Sequence, residues 1–309
     1  MKAFKNLHDL YKAFPNEEAA YAHLENLRWN GQVTCPHCGV VKTPYRLKGL
    51  GKFKCSDKDC LKKFSTISGT IFENTKIPLQ KWLLAIYIAT AHKKGISSLQ
   101  LSRDLGITQK SAWFVLHRIR EMLTEKAPVM LRGNVSADET YVGGKLKFKH
   151  KSQRIKAKPG RGSQNKTMVF GLLEEGGKVV NYMVENADHK TLSKIMVDHV
   201  EKGSTLVTDG YHAYKRLASD YNHVVVDHAN DVYVLNGLST NNLEGYWSLL
   251  KRGIVGIYHY VSPKHLHRYC NEFAFRYNTR EDSEAIRFDF GIAKAEGKRL
   301  TYSKLINKQ

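Results

Sequence analysis

Apolar residues recur at helical spacing near the start of the chain: Phe4, Leu7, Leu10, Tyr11 and Phe14, then Tyr21, Leu24 and Leu27. The pattern predicts two short amphipathic helices broken at Pro15, with Asn16-Glu17-Glu18 opening the second. A strongly apolar helix is expected from Leu79 to Lys94, carrying Trp82, Leu83, Ile86, Tyr87 and Ala89 between Pro78 and Gly95. Ser97 to Thr108 then reads as a short helix, a turn through Gly106 and an N-cap at Thr108. The helix that follows, about Gln109 to Leu123, should bury Ala112, Val115, Leu116 and Ile119 and expose Lys110, His117, Arg118 and Arg120. Two helices joined in this way make a helix-turn-helix pattern, whose second helix would enter a DNA major groove. An ordinary helical hairpin is the competing reading.

Beyond Pro128 the period changes. Val135 to Val142 is a plausible strand ending at Gly143-Gly144, and Lys166 to Leu173 with Lys178 to Val184 flank Glu174-Glu175-Gly176-Gly177 as an antiparallel hairpin. A helix from about Asp188 to Glu201, a short buried strand Ser204 to Asp209 and another at His223 to Val226 come next. The stretch Ser239 to Arg252 opens a helix on Thr240, Asn241 or Asn242, with Leu243, Tyr246, Trp247 and Leu250 on its core side. A long helix from about Ser262 to Tyr277 closes the pattern. Three strands, helix, strand, helix, strand and helices is the order of a ribonuclease H-like α/β fold, a mixed sheet with helices on both faces. The expected domains are 1–75 (N-terminal helices and a zinc ribbon), 76–128 (helix-turn-helix), 129–285 (ribonuclease H-like, with a basic loop 145–166) and a C-terminal tail, 286–309.

Charge narrows the partners. Lys and Arg number 49 against 29 Asp and Glu, a net charge of +20, which points to a polyanion and most simply to nucleic acid. Residues 145–166 hold nine Lys or Arg and no acid, among them Lys147, Lys149, Lys151 and Arg154, and read as an arm that tracks phosphates. An anionic membrane surface is the competitor, but no apolar run approaches the ~20 residues of a spanning helix. The N-terminus has no apolar stretch like a signal peptide's, so a cytoplasmic, nucleoid-associated protein is expected.

Four of the 5 cysteines form Cys35-x2-Cys38 and Cys55-x4-Cys60, with sixteen residues between the pairs. Two such knuckles can surround one structural Zn2+ tetrahedrally. Four thiolates fill the shell, which leaves His37 out. Lys42, Arg46, Lys48, Lys52 and Lys54 interleave with Tyr45 and Phe53 between the knuckles, as in the strands of a zinc ribbon.

Asp138 and Asp209 both fall at or near strand ends, and Glu244, with 34 residues between it and Asp209, lies on a helix that would pack on the sheet. Converging carboxylates repel unless cations sit between them, and hard oxygen ligands suit Mg2+ or Mn2+. Two such ions can serve an in-line phosphoryl displacement. Lys251, seven residues after Glu244, returns to the same helix face and could hold a DNA phosphate. A capping box from Asn241 to Glu244 is the plainer reading of that glutamate. Glu139 should point to the opposite side of its strand from Asp138.

These motifs resemble the DDE transposases of the IS1595 family, the ISXO2-like group of bacterial insertion sequences. The resemblance rests on the four ribbon cysteines; on Ala137-Asp138-Glu139-Thr140-Tyr141-Val142-Gly143-Gly144; on Thr208-Asp209-Gly210; and on Asn241 to Gly253. Tyr258 to Ser262 and Glu272 to Asn278 add to it. Relatives often carry a histidine where this chain has Ser239. The resemblance implies catalytic Asp138, Asp209 and Glu244 with Lys251 as the accessory basic residue. It also implies a homo-oligomer on DNA that binds terminal inverted repeats, cuts there and joins the 3′ ends to target DNA. A transcriptional regulator using only the ribbon and the helix-turn-helix is the alternative, and a nuclease that cuts without joining is a third.

Overall fold

A computed structural model describes residues 4–144, 150, 151, 166–186, 188–210, 214, 221–227, 230 and 232–307. The chain divides into two compact units, Met1–Thr124 with Glu281–Gln309, and Glu125–Arg280.

In the first unit, α1 (Leu7–Ala13) and α2 (Glu17–Trp29) start on Asn6 and Asn16, whose side chains accept from the backbone N–H of Asp9 and Ala19. Three short antiparallel strands follow, β1 (Tyr45–Arg46), β2 (Lys52–Lys54) and β3 (Lys63–Ser65). Their small core is Trp29, Phe53 and Phe64 beside Cys35 and Cys55, with the two phenylalanine rings stacked at 5.4 Å. The centre of the unit is α3 (Leu79–Ala91), apolar on every side and buried along most of its length. Next come α4 (Ser98–Leu105), which ends on Gly106 at φ 59°, and α5 (Gln109–Met122), capped by Thr108 through the Ser111 N–H.

The second unit holds a five-stranded sheet: β4 (Asn134–Val142), β5 (Thr167–Glu174), β6 (Val179–Val184), β7 (Thr205–Thr208) and β8 (Asn222–Val225). Its order is β6-β5-β4-β7-β8. The first three strands are antiparallel and β7 and β8 join β4 in parallel. This is the ribonuclease H-like α/β arrangement expected from the element order. A helix, α6 (His189–His199), lies between β6 and β7. The helix expected between β7 and β8 falls mostly outside the described residues.

Strand alternation divides the side chains into two cores. Val135 and Ala137 of β4 and Met168, Phe170 and Leu172 of β5 meet Leu192 and Met196 of α6. On the other face Val142, Val169 and Leu173 meet α7 (Asn241–Gly253) and α8 (Pro263–Asn278) through Leu243, Tyr246, Trp247, Leu250, Leu266 and Phe273. A short π-helical stretch, Ile254–Tyr258, joins α7 to α8. The Tyr258 hydroxyl donates to Glu272 at 2.7 Å, and buried Glu272 pairs with Arg276. Asn278 clamps β6 by accepting from the Val179 N–H at 2.7 Å and donating to its carbonyl at 2.9 Å. The motif residues 258 and 272–278 thus brace the sheet and its helices.

Residues 286–309, read from the sequence as a tail, belong to the folded first unit. There α9 (Glu284–Ala293) buries Phe288 among Phe4, Phe14 and Tyr87, and α10 (Tyr302–Ile306) sets Tyr302 edge-on to Phe114. Asp289 meets His23 at 2.8 Å, 266 residues away. No local pattern could have announced partners so distant. No described helix is long and apolar enough to cross a membrane.

Candidate active site and metal centre

Asp138 and Asp209 are brought together by strand register. Ala137 of β4 pairs with Thr208 of β7 in parallel, so Asp138 and Asp209 are the next residues along two neighbouring strands. Adjacent strands lie about 4.8 Å apart; Asp138 falls on the face opposite Ala137, where Trp247 of α7 meets it, and Asp209 follows just past the end of β7. Glu139 points the other way, as expected, and accepts from the Tyr214 hydroxyl at 2.6 Å.

The acids feel one another. Asp138 is pushed up to about 7, first by burial, then by the charges of Glu139 and Asp209; its bonds from the Glu139 backbone N–H and the Trp247 indole oppose the rise. Glu139 is also raised, mainly by burial, with Asp209 adding to it. A divalent cation would offset this repulsion, and the donor set is all carboxylate oxygen, which fits Mg2+ or Mn2+.

Glu244 stands in the first turn of α7, exposed, and its carboxylate accepts from the Thr240 hydroxyl at 3.5 Å. Trp247, one turn on, donates its indole N–H to Asp138 Oδ2 at 3.0 Å, so the helix carrying Glu244 is tied to the strand carrying Asp138. Upstream, the Ser136 hydroxyl donates to the carbonyl of Ser239 at 3.0 Å and anchors the approach to α7 on β4. The three carboxylates are not drawn into a tight ligand cluster among the described residues; the cysteines alone form one. Lys251 is exposed in the last turn of α7.

The cysteine centre is fully assembled. Its four Sγ atoms all lie within 4.8 Å of one another, with Cys35 to Cys60 at 3.9 Å and Cys38 to Cys55 at 3.7 Å. Zn–S bonds of about 2.3 Å in a tetrahedron require S···S distances of roughly 3.8 Å, so the thiols fit zinc. Burial pushes Cys55 up and opposes ionisation of Cys35, but backbone N–H groups of His37 and Cys38 outweigh it and bring Cys35 below the usual thiol range. His37 stands outside the cluster, its ring nitrogen 3.3 Å from the Lys63 carbonyl.

On α5 the sequence reading needs correction. Lys110 is exposed at its start, 5.0 Å above the Tyr302 ring, but His117, Arg118 and Arg120 are buried. The Arg118 guanidinium donates to the carbonyls of Ile71 and, at 2.9 Å, Glu73, between the rings of Trp82 and Phe114. Burial brings it down to about 10. Arg118 is therefore not exposed as the helical pattern suggested: two carbonyls of a distant turn claim it, and its long stem packs as an apolar side chain would. Lys151 is exposed, whereas Lys147, Lys149 and Arg154 lie outside the described residues.

Sequence reasoning placed Trp247 in the core and did not single out Gly171. The signal for Gly171 is a glycine inside an otherwise apolar strand, which often marks a close approach.

Comparison with known proteins agrees with this architecture. Residues 130–278 match the model of an ISXO2-like transposase domain, and residues 15–63 that of a transposase zinc-ribbon domain. The chain is 29% identical over 278 residues to an uncharacterized protein in transposable element ISH50 of Halobacterium salinarum, covering 86% of this chain and 92% of that one. Among solved structures, the Mos1 transposase paired-end complex with left transposon end is 12% identical, covers 69% of this chain and 75% of its own, and gives a TM-score of 0.31. A simian T-cell lymphotropic virus intasome in complex with PP2A regulatory subunit B56 gamma is 12% identical, covers 56% and 63%, and gives 0.28.

Proposed function

We propose a function from one premise: this chain belongs to the ISXO2-like (IS1595) family of transposases. It binds the terminal inverted repeats of its own insertion sequence, cuts at the ends and joins the 3′ ends to target DNA. The observation that carries this reading is the pair Asp138, midway along β4, and Asp209, just past the end of neighbouring β7, with the Glu244 helix tied to β4. Two Mg2+ or Mn2+ ions held by Asp138, Asp209 and Glu244 would stabilise the attacking and leaving oxygens of an in-line displacement.

The rest of the work falls to side chains. Lys251 sits seven residues beyond Glu244, about 10 Å along the helix, and holds a phosphate next to the one that reacts. Lys110, at the exposed start of α5, contacts the repeat, and the basic arm with Lys147, Lys149, Lys151 and Arg154 holds DNA through its phosphates without reading sequence. Zn2+ on Cys35, Cys38, Cys55 and Cys60 is structural. The protein works as a homo-oligomer on DNA, on nucleoid DNA in the cytoplasm.

The test is purified protein, Mg2+ and linear DNA carrying the inverted repeats that flank the gene. Strand cleavage followed by joining to a plasmid is expected. Cleavage with no joined product would leave a ribonuclease H-like nuclease. Binding with no cleavage would leave a ribbon and helix-turn-helix regulator.

Binding itself separates two residues of α5. Lys110→Ala should weaken binding to the repeat by about fivefold or more while the melting temperature stays unchanged. Arg118→Ala should do the reverse. It strips two carbonyls of their donor and should lower stability by about 1–3 kcal/mol, with discrimination between repeat and random DNA intact in the folded fraction. Gel-shift titrations beside thermal melts read both. Lost discrimination in a stably folded Arg118→Ala protein would reinstate that residue as a reader.

A further inference from the structure

Gly171 of β5 is the partner of Asp138 in the antiparallel pairing of β4 and β5, so the two point to the same face of the sheet. The space a side chain would fill is taken. A Cβ on Gly171 would lie 2.5 Å from Cζ2 and 2.6 Å from Cη2 of Trp247, and 3.3 Å from Leu243 Cδ1. The indole therefore lies directly on the glycine backbone, and from there its N–H reaches Asp138 Oδ2 at 3.0 Å. With any larger residue at 171 the ring could not occupy this place.

Resting on the metal-site reading above, we propose that Trp247 is the positioning residue of Asp138. Its indole N–H fixes the rotation of that carboxylate so that its remaining lone pairs face Asp209, and Gly171 is the gap that admits the ring. An indole nitrogen donates only, and its bond to a carboxylate is charge-assisted, so it selects one orientation of Asp138. The same contact sets the depth of α7 on the sheet, and with it the reach of Glu244, one turn earlier. Loss of a partner that orients a metal ligand typically costs 10–100-fold in metal affinity.

The competing account is that Trp247 is core filling, since it is 4% exposed among Leu243, Tyr246 and Leu250. On that account Asp138 merely satisfies a buried N–H. The two accounts part when shape is kept and the donor removed. Benzothienylalanine placed at 247 puts sulfur where the N–H stands and keeps the bicyclic ring. Mn2+ binding to the zinc-loaded full chain is read from the spin-resonance signal of free Mn2+, and the Mn2+ needed for half-maximal end cleavage is read beside it.

Benzothienylalanine at 247 should weaken Mn2+ binding by about 10–100-fold with an unchanged melting temperature. High Mn2+ should restore cleavage. Trp247→Phe and Gly171→Ala should weaken binding similarly, the latter with all four tryptophans present, because it displaces the ring. Mn2+ affinity within twofold of wild type in the benzothienylalanine protein overturns the positioning role, provided Asp138→Asn does lose binding. If Asp138→Asn itself keeps wild-type affinity, the metal-site reading falls and the positioning role with it.

Discussion

Replacing Asp138 or Asp209 by asparagine, or Glu244 by glutamine, is expected to reduce both end cleavage and strand transfer by on the order of a thousandfold or more, while folding and repeat binding persist. The amides keep size and hydrogen-bonding shape but lack the charge that divalent cations require. Groups acting as one unit are not additive, so double variants should be hardly worse than single ones. Lys251→Ala should be milder, because it removes a phosphate contact and no metal ligand. Quantifying cleaved and joined DNA in Mg2+ checks all of these together. If Glu244 only caps α7, glutamine serves as well, and a Glu244→Gln protein that joins ends normally would put the third carboxylate elsewhere.

The same substitution has a pH signature. Asp138 is raised to about 7 in the metal-free protein, above the 3.8 of an ordinary aspartate. A raised carboxylate holds its proton more tightly folded than unfolded. Its contribution to stability is therefore full below the ordinary value and is lost as pH rises toward 7. Wild type free of Mg2+ and Mn2+ should lose stability over that window, and Asp138→Asn should lose less of it. Melting curves of the zinc-loaded protein at pH 5 and pH 8, with no Mg2+ or Mn2+ added, test this on the two proteins side by side. A larger fall in the variant would show that the acids do not repel as described.

Loss of zinc should be the other large effect. About one zinc per chain is expected, and Cys38→Ser or Cys55→Ser should lose it. Beyond the thiols, the ribbon is held by a core of Trp29, Phe53 and Phe64, with three strands of two or three residues each. Structural zinc contributes on the order of 10 kcal/mol to small domains, far more than those rings can replace. The variants should show rapid amide exchange across the ribbon, while the five-stranded sheet keeps its protection. Cys270→Ser makes the control: that thiol lies on the buried face of α8, and burial pushes it up to about 12, so zinc content should not change. Fully reduced, carefully purified protein without zinc would overturn the assignment.

The legible features are those whose cause is local. Cysteine spacing fixes which four thiols can meet, and the structure gathers those four. Asn16 and Thr108, read as helix starts, cap their helices by bonding amides three residues on, a geometry contained within one turn. Alternation along β4 and β5 shows which residues share a face, and it separated Asp138 from Glu139 correctly.

Partner identity is another matter, because periodicity reports that a side is buried and not what buries it. Arg118 was assigned to solvent by its charge, but the carbonyls that take it come from residues 71 and 73. Phe288 and Asp289 looked like tail until Phe4, Phe14, Tyr87 and His23 surrounded them. Trp247 read correctly as core, yet its N–H finds Asp138 across 109 positions of sequence. The sequence by itself determined which four cysteines can meet and the order of the five strands of the larger sheet; it put Asp138 near a strand end, whereas β4 runs on to Val142. Only the tertiary structure decided which acids meet, which cations stay in solvent and which glycine must be bare, because each depends on packing between elements far apart along the chain.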